Sequence, residues 1–163
     1  MNENIIPISI KTIFNYLNFL CDAFVFYRFK RYYIKGKRYL KTVNKFYLVD
    51  HAIRMSKLSN LNLSYGKIYE NIVAIELLRH GYDVYIGKIN DKEIDFIATK
   101  NNEKFYIQVA ATIEEDSTFK REITPLLQIK DAYSKIIIAR TKLPEYDYER
   151  IKIINLTDWL LSC

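Results

Sequence analysis

The chain has little with which to build a redox, zinc or nucleotide-hydrolysing centre. Its two cysteines, Cys21 and Cys163, stand near opposite ends without metal-ligand spacing. That excludes a disulfide or zinc framework and suits a reducing compartment, with Cys21 read as a core residue. The two histidines, His51 and His80, lack partner spacing for a metal or a catalytic triad and read as surface or internally satisfied groups. Only four glycines are present, and none belongs to a GxxxxGK[ST] phosphate loop. The nearest stretch, residues 81–88, has five residues between its glycines, Ile89 where the hydroxyl belongs, and the pattern of a strand. ATP hydrolysis by this chain alone is therefore not expected. Long apolar runs are missing too, since the densest, residues 13–26, is interrupted by Asn15, Asn18 and Asp22. With no leading basic or cleavable segment, the expectation is a cytoplasmic protein without membrane association. Neither internal repeats nor low-complexity segments are present.

What the chain does have is apolar mass and unevenly shared charge. Half of its 163 residues are hydrophobic, ample for one medium domain or two small ones. Residues 1–60 carry 11 Lys/Arg against 3 Asp/Glu, whereas residues 61–163 carry 14 against 16, so the net +6 is N-terminal. Lys11, Arg28, Lys30, Arg31, Lys35, Lys37 and Arg38 are the candidate nucleic-acid contacts, interleaved with Tyr27, Tyr32, Tyr33 and Tyr39. Cations neutralise phosphates and rings stack on bases, which makes the mixture suitable for DNA. The competing reading is a solvated basic hairpin.

Ser9 is positioned to cap a helix running to about Ala23, with Ile10, Ile13, Leu17, Leu20 and Phe24 as its buried stripe. Residues 25–33 and 38–49 read as two strands around a turn at Gly36, and residues 50–58 as a short helix. A helix followed by a basic hairpin matches the second half of a winged-helix module, whose first half is absent or abbreviated. The polar stretch 59–66 coincides with the change in charge and divides the chain into a partial winged-helix-like segment, 1–60, and a second unit, 61–163. That unit opens with a helix over 67–79, stopped by His80-Gly81, and continues with strands over 82–86, 93–99 and 104–111. A helix over 119–133 containing Pro125, a strand over 135–140, a strand over 150–155 and a closing helix over 156–161 complete it. This order predicts an α/β (α+β) fold with a mixed sheet flanked by helices.

The chemistry centres on residues 93–110. Two alternating segments around the polar turn 99–104 predict an antiparallel hairpin, with Ile94, Phe96, Ile107 and Val109 toward a core and Asp95, Gln108 and Ala110 on the other face. Upstream, Glu70 shares the helical stripe of Val73, Ala74 and Leu77, an unusual place for a carboxylate unless something compensates it. Hydrolysing a phosphodiester with Mg²⁺ needs hard oxygen ligands and a base that readies water. In order and position, Glu70, Asp95 and Gln108-Val109-Ala110 resemble the PD-(D/E)XK nuclease fold, which carries a helix Glu, a strand Asp and a Glu-X-Lys. The resemblance implies a restriction-endonuclease-like sheet with Glu70, Asp95 and Gln108 at the catalytic positions. The chain departs from the pattern at two of them. Gln108 is a neutral, weaker metal ligand, and Ala110 can neither exchange a proton nor orient water. Lys92 and Lys104 are the candidates to replace the missing lysine, although both lie near strand ends. Glu93 shares a strand face with Asp95, so these two are the candidate metal ligands. The competing expectation is a silent site in which Glu70 and Gln108 hydrogen-bond each other.

A second resemblance spans nearly the whole chain. It rests on Ser9-Ile-Lys-Thr-Ile-Phe-Asn-Tyr-Leu, Leu20-Cys-Asp-Ala-Phe, Tyr32-Tyr-Ile-Lys-Gly-Lys, Lys45-Phe-Tyr-Leu-Val-Asp50, Gly66-Lys-Ile-Tyr-Glu-Asn-Ile-Val, Glu93-Ile-Asp-Phe and Tyr106-Ile-Gln-Val. In that order these blocks resemble the C-terminal region of prokaryotic AAA-type ATPases carrying domain of unknown function 4143. The resemblance implies an ATPase domain upstream or in trans, then a winged-helix segment, then a degenerate nuclease-like domain. The leading expectation is thus a DNA-binding, regulatory module without a cofactor of its own. The alternatives are a Mg²⁺-dependent DNA nuclease, and a protein-interaction domain that docks onto an ATPase partner.

Overall fold

Ser9 starts the first helix as its position predicts: its side chain accepts a hydrogen bond from the Thr12 backbone N–H at 3.1 Å. The computed structural model describes residues 8–41, 44–57 and 64–162. Its N-terminal elements are α1 (Ile10–Asp22), β1 (Phe26–Phe29), β2 (Arg31–Tyr33), β3 (Arg38–Tyr39), β4 (Lys45–Leu48) and α2 (His51–Lys57). Then follow α3 (Tyr65–Arg79), β5 (Asp83–Ile89), β6 (Lys92–Lys100), β7 (Glu103–Ala110), α4 (Asp116–Leu127), β8 (Ser134–Ala139), β9 (Tyr146–Tyr148), β10 (Ile151–Asn155) and α5 (Leu156–Ser162). Most of the expected connection at 59–66, with Leu58 and Cys163, lies outside the described residues.

An eight-stranded mixed sheet dominates, in the order β3-β2-β5-β6-β7-β8-β10-β9. The run α3, β5, β6, β7, α4, β8 is the expected helix, three strands, helix, strand. β5, β6 and β7 pair antiparallel, while β7, β8 and β10 run parallel. Strand β2 joins this sheet in parallel with β5, pairing Arg31 with Ile86 and Tyr33 with Lys88, so the basic hairpin β2–β3 extends the sheet that carries Asp95. β1 and β4 form a separate two-stranded sheet. The two long N-terminal strands expected from the sequence are therefore four short ones, because the chain changes partners at Lys30 and again before Lys45.

Helices cover both faces. Val73, Ala74 and Leu77 of α3, with Leu156 and Trp159 of α5, pack over Phe96, Ala98, Ile107 and Val109. On the opposite face, Ile123 and Leu126 of α4 pack over Ile94, Ile97, Tyr106 and Ile137. Burying each such side chain contributes roughly 1.5–3 kcal/mol. Helix α3 stops at His80-Gly81 as predicted: Gly81, at φ 73°, and Tyr82 donate their N–H groups to the carbonyls of Leu78 and Leu77.

Three further expectations are corrected. The α1 stripe is not buried: Ile10 is 74% and Phe24 70% exposed, Ile13 and Leu20 are exposed as well, and Cys21 is only half-buried. Amphipathic spacing shows that a helix has an apolar face, and says nothing of what covers it. Helix α4 ends at Leu127 rather than near Tyr133, with Gln128 as its cap. Pro125, in its last turn, supplies no N–H and marks the end rather than a kink. Finally, Ile94 and Phe96 lie on opposite faces of the sheet. The β5–β6 register steps from Tyr85↔Ile97 to Gly87↔Ile94, so Asp95 and Phe96 together oppose Ile86 in a β-bulge.

The bulge depends on a glycine opposite it. A Cβ on Gly87 would lie 2.8 Å from Ile94 Cβ and 3.2 Å from Ile97 Cγ1, both in the packed sheet interior. Gly87→Ala should lower the unfolding free energy by about 1–3 kcal/mol, measurable as a reduced urea midpoint at unchanged slope. An unchanged midpoint would mean that the sheet relaxes there freely.

Candidate functional site

The β6–β7 ladder runs from Lys100↔Glu103 to Phe96↔Ile107 and stops there. Beyond that point side chains replace the ladder. The Asp95 N–H donates to Gln108 Oε1 at 3.3 Å, and the Val109 N–H donates to Asp95 Oδ2 at 2.8 Å. The bulge and this divergence set Asp95 between the charges of Glu70 on α3 and Glu122 on α4. Burial and then the Glu70 charge push the Asp95 pKa up to about 8, against the opposing effects of the Val109 N–H and of Lys45.

Glu70 has the compensation its position demands. It accepts hydrogen bonds from Tyr47 Oη and Lys45 Nζ, each at 2.5 Å, and Lys45 Nζ also reaches Glu93 Oε1 at 2.9 Å. Arg31 pairs with the other Glu93 oxygen. Burial alone would lower the Lys45 pKa, but Glu70 and Glu93 outweigh it and hold the ammonium above its usual value. Burial likewise acts to raise Glu93, and the Arg31 and Lys45 hydrogen bonds reverse that and lower it. The Tyr47 phenol, buried and beside Glu70, is pushed far above its usual range and stays a donor. Asn71 fixes these groups in place: it accepts the Leu48 N–H at 2.9 Å and donates to the Leu48 carbonyl at 2.7 Å, which clamps β4 onto α3.

On the other face, Gln108 Nε2 donates to Glu122 Oε2 at 2.8 Å, and Arg121 donates to Glu122 Oε1 through Nε at 2.9 Å and Nη2 at 2.7 Å. A groove of about 370 Å³ between α4 and the sheet is lined by Lys92, Glu93, Asp95, Gln108, Arg121 and Glu122.

The structure thus brings Glu70, Glu93 and Asp95 into one electrostatic cluster, but not as the sequence arranges them. Glu70 and Gln108 bond different partners on opposite faces and not each other. Lys92 lines the groove without an ion pair among the described residues, and Lys104 lies 4.6 Å from the centre of the Tyr133 ring. The lysine among the carboxylates is Lys45, which the sequence reading missed. Its one signal was the alternation of Lys45 and Tyr47, which puts two polar-tipped side chains on one strand face. Arg31 faces Glu93, whereas Lys11, Arg28, Lys30, Lys35, Lys37 and Arg38 are exposed, with Arg28 donating to Asn18 Oδ1 at 2.7 Å. His51 and His80 are satisfied by the carbonyls of Ile68 and Glu76.

A Mg²⁺ ion does not fit this arrangement. The position shared by Glu70 and Glu93 holds an ammonium, Gln108 is committed to Glu122, and no group of three or more His, Cys, Asp or Glu among the described residues is disposed to hold a metal.

The raised Asp95 pKa has a measurable sign. The unfolded carboxyl titrates near pH 4 and the folded one near 8, so the folded state binds the extra proton and stability falls as pH rises across that window. Asp95→Asn, which keeps an acceptor for the Val109 N–H, should stabilise the fold at pH 8 by on the order of a few kcal/mol relative to its effect at pH 4. Thermal midpoints of both proteins from pH 4 to 9 would show it, and equal effects at both ends would refute the assignment.

The chain belongs to the family described as domain of unknown function DUF4143, whose model matches residues 65–159. A second family model, domain of unknown function DUF8612, matches residues 3–64. The chain is 45% identical over 157 residues to an uncharacterized protein of Haemophilus influenzae, covering 96% of the chain and 38% of that relative. It is 30% identical over 155 residues to the uncharacterized protein MJ1544 of Methanocaldococcus jannaschii, covering 93% of the chain and 31% of that relative. The chain therefore spans only about a third of the length of these curated relatives. No solved structure matches it significantly. No helix among the described residues is long and apolar enough to cross a membrane.

Proposed function

For this member of the DUF4143 family, we propose a nucleic-acid-binding, regulatory module of a larger ATPase, built on a nuclease-like and catalytically silent scaffold. One observation carries the reading. The Lys45 ammonium lies between Glu70 and Glu93, where hydrolysis would need a divalent cation, while Gln108 is locked to Glu122. A tethered ammonium neutralises the carboxylates without offering coordination sites for a phosphate or a water. Binding is supported by the β2–β3 hairpin, where Lys30, Lys35, Lys37 and Arg38 are exposed and have no ion-pair partner among the described residues. On the same hairpin and on β5, Tyr32, Tyr39 and Tyr85 form an aromatic group with ring centres 5.4–6.4 Å apart. Exposed cations supply counterion release, and the exposed Tyr39 ring, backed by the half-buried Tyr32 and Tyr85, supplies stacking. The length of the relatives beyond the matched region leaves room for the ATPase portion that the family resemblance implies.

The test measures duplex-DNA binding by fluorescence anisotropy at several salt concentrations, beside a cleavage assay with Mg²⁺ or Mn²⁺. Binding should be evident at about 50 mM salt, and the Lys35→Ala, Lys37→Ala, Arg38→Ala triple variant should weaken it by roughly tenfold or more and flatten its salt dependence. No cleavage is expected. Absent binding would sink the DNA reading. Cleavage abolished by Asp95→Ala would instead make this chain a nuclease.

Helix α1 favours a second reading, in which the module also docks onto the ATPase portion. Ile10, Ile13, Phe14 and Leu20 share one face of α1 and are exposed, an apolar surface unusual for a helix facing water. The remainder of the Haemophilus influenzae relative, expressed separately, should co-elute with this chain after nuclease treatment. Ile10→Glu with Phe14→Glu should abolish co-elution. Failure to co-elute, or indifference to that double variant, would count against docking through α1.

A further inference from the structure

A cavity of about 710 Å³, walled on one side by Tyr65 and Tyr69 of α3, opens where three parallel strands end. β7, β8 and β10 finish in register, Ala110 beside Ala139 and Ala139 beside Asn155. The residues that immediately follow each strand form its floor and walls: Thr112 after β7, Arg140 and Lys142 after β8, Thr157 after β10. In open α/β sheets the crevice outside the carboxyl ends of parallel strands is where ligands lodge, because the loops there diverge and leave polar groups facing one space.

Two features give this cavity a chemical preference. Arg140 and Lys142 are both exposed, and neither has an ion pair or side-chain hydrogen bond among the described residues, although Glu114 lines the same cavity. Their loop is held in place. Asn155 Nδ2 donates to the Thr141 carbonyl, and the Leu143 N–H donates to Thr141 Oγ1 at 3.1 Å. Two cations on a pinned loop are ready for an anion at little ordering cost. The second feature is the α3 wall, where Tyr65 and Tyr69 present rings 6.1 Å apart and Tyr65 is 57% exposed. An exposed ring is a stacking surface for a flat heterocycle, and the space far exceeds what an inorganic anion fills.

We propose that this cavity binds a phosphorylated nucleoside, with Arg140 and Lys142 holding the phosphate and Tyr65 stacking on the base. The same chemistry is offered by a free mononucleotide and by the 5′-phosphorylated end of a single strand. The site shares no residue with the basic hairpin, so it stands whether or not the hairpin binds duplex.

Calorimetric titration of the intact chain tests it with four probes: AMP, inorganic phosphate, and a short thymidine oligonucleotide with and without a 5′ phosphate. Saturable binding is expected for AMP or for the phosphorylated oligonucleotide, with a Kd below about 1 mM, and the tighter of the two identifies the source. Arg140→Ala with Lys142→Ala should weaken it at least about tenfold and Tyr65→Ala roughly threefold or more, in line with lost charge-assisted contacts and lost stacking. The Lys35, Lys37, Arg38 triple variant should leave it unchanged, which separates this site from the duplex-binding reading. All three cavity positions are exposed, and melting curves of the variants confirm that they fold. Absence of saturation, binding unaffected by the Arg140 and Lys142 substitutions, or phosphate binding as tightly as AMP would each overturn the proposal.

Discussion

The arrangement of the molecule depends on one ammonium group among three carboxylates. Glu70 sits on the buried stripe of α3, Glu93 and Asp95 arrive on β6, and Lys45 is the group whose charge acts on all three. Removing one partner of such a part-buried network leaves charge less compensated, at a cost on the order of 1–3 kcal/mol, a sizeable part of a small domain's stability. The network also spans the chain. Arg31, Lys45 and Tyr47 come from the basic N-terminal segment, whereas Glu70, Glu93 and Asp95 come from the C-terminal one. The Asn71 clamp on Leu48 keeps β4 close enough for the ammonium to reach, so an amide with both its ends bonded to one backbone residue is a condition for the charge arrangement.

The second constraint is the divergence of β6 and β7. Where the ladder stops, Asp95 and Gln108 supply the donors and acceptors that the two backbones would otherwise lack. That gives Gln108 a reason of its own. Its carbonyl accepts from Asp95 N–H while its amide nitrogen donates to Glu122. A glutamate there could perform the first task but not the second, and it would add a charge between Asp95 and Glu122, two groups already repelling each other. The residue that departs from a nuclease pattern is the one that suits this local structure. Ala110, buried against the α4 side of the sheet, is likewise a packing residue at its place in the core.

Local features of the fold were legible in the sequence because local chemistry produces them. Ser9 caps because its oxygen reaches Thr12 N–H, Gly81 ends α3 because it accepts a positive φ, and the 93–110 hairpin follows from a two-residue period around Asn101-Asn102, both at positive φ. Glu70 was also legible, as a carboxylate on an apolar stripe that had to have a partner. The partner was not. Lys45 lies 25 residues before Glu70 and 48 before Glu93, and nothing short of the sheet register brings them together. The bulge at Asp95 was hidden for a similar reason, since an extra residue is visible only against the strand it fails to match. Strand β9 has just three residues and no alternation long enough to stand out. The α1 stripe was legible as apolar and misread as covered.

Charge sorting along the hairpin links the fold to the function proposed for it. Lys30 and Arg31 are neighbours, yet the first faces solvent and the second is bound to Glu93, because successive side chains in extended backbone point to opposite sides. The cations that reach a carboxylate are consumed in holding the scaffold, and those that do not are left for a partner. Pairs inside the scaffold are screened weakly by salt, whereas exposed cations more than a Debye length from one another act almost independently at about 0.15 M. Rising salt therefore weakens contacts made by Lys30, Lys35, Lys37 and Arg38 well before it disturbs Lys45 and its carboxylates. Loss of binding and loss of fold are thereby separated by the same alternation that puts neighbouring residues on opposite faces.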